Sequence, residues 1–231
     1  MKTLGLCILA VLSLSACTTG VNNSVLISLT NKVITQYPVE RALINIYSKP
    51  SNDTLYIVDD KLQVASQLVT LPLGIVTFNG KPVHASRMTS ITYVDNQNVK
   101  TSIEDNYYTF DPLVFHGFSG AERYSITSQT QDIPKVATLG DSSTFLTENV
   151  YTDSSLNKKM GTYLKAWSLS KATNNSAWLC ISRSANMLVA TDAGTPVDCY
   201  IINPHGKVLD KRIEYTYPTD KGLRKDVYVK R

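Results

Sequence analysis

From Thr54 onward the apolar positions come in short runs rich in β-branched residues and tyrosine, broken by turn residues every eight to twelve positions. That rhythm predicts antiparallel β structure. Candidate strands are 54–58, 61–70, 107–115, 122–129, 143–151, 160–169, 176–183, 197–203 and 207–217. The clearest hairpin is Ile75 to Val83, because Asn79-Gly80 readily takes the two positive φ angles of a tight type I′ turn. A second hairpin spans 89–100. Ahead of this region, Val39, Ala42, Leu43, Ile46 and Tyr47 recur at helical spacing behind Pro38 and stop before Lys49-Pro50. They predict one short amphipathic helix. The apolar positions of 24–34 fit helix and strand about equally, with a lean to helix.

The expected fold is therefore mainly β: an antiparallel sandwich or partly open barrel modules with a short N-terminal helical segment. Two glycines in His116-Gly117-Phe118-Ser119-Gly120 interrupt the pattern near mid-chain and suggest a boundary there. The expected division is 24–116, an N-terminal helix plus β module, then 117–217, a C-terminal β module, then a basic tail at 218–231. With 43% hydrophobic and 18% charged residues over 231 positions, the chain can bury a core and lies far from the signature of disorder.

The first residues carry one positive charge, an apolar stretch from Leu4 to Leu14, then small residues. That is a secretory signal, too short to span a bilayer. Leu14-Ser15-Ala16-Cys17 resembles the lipobox of bacterial lipoproteins. The resemblance implies acylation of Cys17, removal of residues 1–16 and anchoring by acyl chains, with 17–23 as a short linker. Thr18 in place of Asp implies, by that family's sorting rule, an outer-membrane destination facing the periplasm or the cell surface. The runs from Ile133-Pro134 through Leu139-Gly140-Asp141-Ser142, Ala166-Trp167, Ala177-Trp178-Leu179-Cys180 and Asp198-Cys199-Tyr200 resemble bacterial envelope lipoproteins without an assigned activity. That resemblance implies β modules and no known catalytic residues.

With Cys7 lost in the signal and Cys17 acylated, Cys180 and Cys199 remain, and two leftover thiols in an exported protein suggest one disulfide. A strand at 187–190 paired between them would hold them about 9.5 Å apart, out of reach. A bridge thus requires 185–194 to be a loop or excursion, with the cysteines on directly paired strands or facing sheets.

Motifs for chemistry are sparse. Gly117-Phe118-Ser119-Gly120-Ala121 approaches the nucleophile elbow but lacks its last glycine and is followed by strand-like residues. Leu139-Gly140-Asp141-Ser142 resembles the serine block of Gly-Asp-Ser hydrolases, yet no Asp stands three residues before any histidine, so a β-turn is expected there. His84, His116 and His205 lack metal-site spacing and read as surface or strand-edge residues. The acid pairs Asp59-Asp60 and Glu104-Asp105 read as solvated turn residues. No phosphate-binding glycine loop occurs. We therefore expect no catalytic residues, no metal and no cofactor.

Net charge is +4, and residues 207–231 alone carry eight basic against four acidic side chains. Lys221, Arg224, Lys225, Lys230 and Arg231 could meet an anionic partner, although a lysine-guarded edge strand explains them as well. The leading expectation is a non-catalytic, lipid-anchored envelope protein acting as a binding or assembly module. Its partners would be the membrane through Cys17, and an envelope protein or anionic glycolipid, with no nucleic acid. A periplasmic carrier of a lipid or other apolar ligand is the alternative. A serine hydrolase using Ser119 or Ser142 ranks lower.

Overall fold

The structure is a computed structural model and describes residues 33–57, 63–187, 195–220 and 222–231. The leader, Cys17, the linker, Asp59-Asp60 and Lys221 lie outside the described residues, as does most of segment 24–34. In chain order the elements are β1 (Gln36–Tyr37), α1 (Val39–Ser48), β2 (Ser51–Ile57), β3 (Val64–Phe78), β4 (Lys81–Val94), β5 (Gln97–Thr109) and β6 (Val114–Gly120). There follow β7 (Tyr124–Gln129), β8 (Ala137–Thr138), β9 (Ser142–Tyr151), β10 (Lys159–Lys171), β11 (Ala177–Met187), β12 (Thr195–Ile202), β13 (Val208–Thr219) and β14 (Gly222–Val229). The mainly β class with one short N-terminal helix is as the sequence predicts.

Twelve antiparallel strands close into one barrel, running from β2 through β7, then β9 to β14, with β14 returning to β2 through Tyr228↔Ile57 and Val229↔Tyr56. The two modules expected on either side of residue 117 are thus parts of a single ring, because β6 pairs with β5 on one side and β7 on the other. Gly117 is no linker. It sits in β6 at φ 148°, where an added Cβ would come within 2.1 Å of the Ser125 carbonyl oxygen. The expected basic tail is also corrected: residues 222–229 pair with β13 along their whole length, from Gly222 to Val229. The strand expected at 107–115 is split by a turn at 110–113 that contains the cis Asp111–Pro112 bond.

Local chemistry accounts for the turns. Asn79 and Gly80 take φ 49° and 75° between β3 and β4, and Asp95 and Asn96 take 49° and 63° between β4 and β5. Both are the positive-φ pairs a two-residue hairpin requires. The β3–β4 tip then folds over the outside of the barrel. Phe78 stacks on Tyr107 at 4.0 Å, and the Tyr124 hydroxyl donates to Asn79 Oδ1.

α1 closes one end. Pro38 precedes it, and Glu40 both donates its N–H to the Pro134 carbonyl and accepts from the Leu113 N–H through Oε1. The helix buries Val39, Ala42 and Leu43 against inward side chains of β5, β6 and β9 to β12, including Tyr108, Phe115, Phe145, Trp167, Leu179 and Tyr200. The two-stranded sheet β1–β8 straps the same end. The helix thereby supplies an apolar floor that the strands, whose inner faces turn polar further along, do not supply alone.

Two junctions in the ring carry short backbone ladders, β14–β2 with the two pairs given above and β6–β7 with fewer still. β6 and β7 share a single backbone register pair, Ser119↔Tyr124, and side chains hold the rest. Ser125 Oγ accepts from the Phe118 N–H, Thr127 Oγ1 donates to the Phe115 carbonyl, and Gln129 accepts from the Phe115 N–H while donating to the Leu113 carbonyl. Three alternate residues of β7 thus satisfy backbone groups that a ladder would otherwise pair.

Candidate functional site

Strand alternation sends every second side chain into the barrel. Along β10 the inward set is Leu169, Trp167, Lys165 and Tyr163; along β11 it is Ala177, Leu179, Ile181 and Arg183; along β12 it is Ile202, Tyr200 and Asp198. β9 contributes Leu146, Glu148 and Val150, and β13 contributes Lys211, Ile213 and Tyr215. Each of five consecutive strands therefore carries one charge on its otherwise uncharged inner face.

Glu148 is the hub. It is 1% exposed, its Oε1 accepts from Lys165 Nζ at 3.1 Å and from Ser125 Oγ, and its Oε2 accepts from Arg183 Nη2 at 3.2 Å. Burial alone would push this carboxyl up, but the two cations outweigh it and hold it below the usual range. Burial lowers the Lys165 ammonium, which Glu148 partly offsets. The Arg183 guanidinium lies 4.8 Å from the Tyr163 ring centre and 5.8 Å from that of Phe118, with Arg123 on Phe118 as well. Arg123, in the turn between β6 and β7, pairs with Glu104, which faces inward from β5. Burial raises Asp198, opposed by Lys211, Arg183 and Lys165.

These groups surround a cavity of about 390 Å³. Its charged lining is Lys100, Arg123, Lys165 and Arg183 against Glu104 and Asp198. Tyr47 of α1 reaches into it, and the Asn106 amide nitrogen at its wall is buried without a hydrogen-bond partner among the described residues. The outer face carries ion pairs of its own. Arg87 in the middle of β4 forms a fork with Asp105, and Arg212 and Lys225 share Glu214.

The residues singled out from sequence separate into groups. Cys180 and Cys199 form a disulfide directly across the paired strands β11 and β12, pointing outward opposite to Leu179 and Tyr200. Arg224 pairs with Asp226, Lys225 with Glu214 and Lys230 with Asp53, while Arg231 covers the Tyr56 ring, so each of these four basic residues has a partner within the chain. Glu104 and Asp105 are not turn acids: they lie on opposite faces of β5, one paired with Arg123 and the other with Arg87. Ser119 Oγ meets the Tyr107 hydroxyl at 2.7 Å. Ser142 opens β9 just after a turn in which Asp141 accepts from the Thr138 N–H. The histidines lie elsewhere: His84 contacts Phe110, His116 meets Thr109, and His205 is in the turn capped by Asn203. Among the described residues no three His, Cys, Asp or Glu side chains are grouped to hold a metal ion.

The lumen itself escaped the sequence reading. The signal available was a charge in the apolar phase of each of β9 to β12. Comparison with protein-family models, curated proteins and solved structures finds no match.

Proposed function

We propose that the chain is a non-catalytic, lipid-anchored envelope protein that binds a small ligand bearing negative charge in the lumen of its barrel. One observation carries this reading: the cavity lining holds four basic side chains against two acidic ones. Glu148, beneath it, offsets only part of that excess. The volume is in the range of small-molecule sites, and polar groups converge on it. An apolar cargo fits less well, since it would strip water from Arg123, Lys165 and Arg183 without replacing their hydrogen bonds.

Attachment to the membrane rests on the lipobox and Cys17 rather than on the barrel wall. A lipid-facing wall carries an apolar band, and outward groups such as Arg87, Asp105, Arg212 and Glu214 would be costly in hydrocarbon. The serine-hydrolase reading has little support, because the contacts of Ser119 lead to Tyr107 and those of the histidines lead elsewhere.

The test is native mass spectrometry of the protein extracted gently from its own envelope. The expected result is a mature chain beginning at diacylated Cys17 with an added small-molecule mass, lost when Arg183→Met is introduced. A bare barrel, or one holding only another polypeptide, overturns the binding reading. An unmodified Cys17 overturns the anchor.

A further inference from the structure

A second pocket, of about 290 Å³, lies where the C-terminal end of α1 meets β2 and β13. Lys49, Lys207, Lys211 and Lys230 line it, against a single acid, Asp53. Asp53 is already engaged, its Oδ1 lying 2.7 Å from Lys230 Nζ. Lys211 points inward from β13 opposite Tyr200 and is 6% exposed. Its ammonium sits 5.3 Å from the Tyr200 ring centre and forms no salt bridge among the described residues. A buried ammonium with no counter-ion at contact is costly. Burial correspondingly lowers its pKa, with Asp198 and Asp53 opposing only at a distance.

The rest of the lining is apolar: Ile46 and Pro50 on one side, Tyr200, Val208 and Leu209 on the other. The final carbonyls of α1 present the negative end of the helix here, but the Lys49 N–H already satisfies that of Asn45. Cations thus outnumber anions, one of them is buried with no salt bridge among the described residues, and apolar walls adjoin them. We propose that this pocket binds an anionic head group carried on an apolar stem, with Lys211 as its central contact. The lysines that carry it, Lys49, Lys207, Lys211 and Lys230, are not among those lining the lumen cavity, with which it shares Thr70, and it takes an amphiphile.

The experiment is isothermal titration calorimetry on residues 18–231, exported behind a signal without a lipobox, with octyl phosphate, octanoate, inorganic phosphate and octyltrimethylammonium as probes. Octyl phosphate or octanoate is expected to bind, whichever is tighter identifying a phosphate or a carboxylate head. Inorganic phosphate should bind at least tenfold more weakly, and the cationic amphiphile not at all. Lys211→Met should weaken the anionic amphiphile at least tenfold and Lys207→Gln several-fold, while Arg87→Gln on the outer wall leaves it unchanged. Lys207 is exposed, so its variant keeps the test decisive if Lys211→Met does not fold. Absence of heat with both anionic amphiphiles, equal binding of the cationic one, or full affinity in both lysine variants overturns the proposal.

Discussion

Replacing Glu148 by Gln tests how the barrel interior is held together. The substitution keeps shape and removes one charge, leaving Lys165 and Arg183 side by side with only the more distant Glu104 and Asp198 as counter-charges. At contacts of 3.1 and 3.2 Å and an effective dielectric of about 20, each cation loses roughly 5 kcal/mol of Coulomb attraction. Much of that merely offsets desolvation in the intact triad, and loss of one partner from a buried ion pair costs about 3–5 kcal/mol. For a domain of this size that corresponds to a fall of about 6–20 °C in Tm. Lys165→Met should cost far less, because Glu148 keeps Arg183 and the methionine fills the space. The double variant should then be at least about 1 kcal/mol more stable than Glu148→Gln alone, since it buries one uncompensated cation rather than two. Urea unfolding of residues 18–231 at pH 7 measures all four corners of the cycle. If Glu148→Gln lies within 1 kcal/mol of the parent, or Lys165→Met is as costly as Glu148→Gln, the hub does not carry the interior.

Acid should destabilise the fold through two groups. The Glu148 pKa is depressed in the folded state, so its contribution is complete above the ordinary 4.5 and lost as pH falls through the folded value. His116 is lowered from 6.5 by burial and by Lys81, and its contribution is likewise complete above 6.5 and lost below it. Tm against pH should therefore decline below about 6.5, and His116→Gln should remove that first decline while leaving the one below 4.5. Reduction of Cys180–Cys199 frees the loop that the bridge closes in the unfolded chain and should cost about 3 kcal/mol in urea; free thiols found by mass mapping of the unreduced protein would contradict the bridge. Gly117→Ala should be among the most damaging single changes, since it drives a methyl into the Ser125 carbonyl at a φ that side chains avoid. Hydrogen exchange should then show β7 losing protection first; protection equal to that of the parent would mean the close approach is not required.

Elements whose signal is local were legible in the sequence. Asn79-Gly80 makes its turn whatever surrounds it, and Val39, Ala42 and Leu43 mark the buried face of α1 by spacing alone. The cysteine pairing followed from elimination, and β11 pairs directly with β12 as the bridge requires, but β11 runs on to Met187, so 185–187 are strand rather than the loop expected there, and 188–194 lie outside the described residues. Ring closure was not legible, because strand count does not set strand order. The glycines near 117 look like punctuation in sequence and serve as a point of close approach in space. The charged lumen was hidden by the assumption that inside means apolar. Period-two alternation shows that Arg183 shares a face with Leu179 and Ile181, but it does not say that this face is the interior. In sequence Lys211 is one more basic residue near the C-terminus, and only its position opposite Tyr200 makes it an inner-wall residue.

The junction between β6 and β7 has a bearing on traffic through the barrel. A closed ring widens only where it parts, and most of this one is fastened by long backbone ladders that must break many hydrogen bonds together. Here the fastening is Ser125, Thr127 and Gln129, clasped from outside by Phe78 and Asn79 at the hairpin tip. Side chains can let go one rotamer at a time while each strand keeps its other neighbour. Ser125 also touches Glu148, so the clasp and the charged interior share a residue. The wall therefore has its thinnest backbone seam between β6 and β7, with β14–β2 the next thinnest.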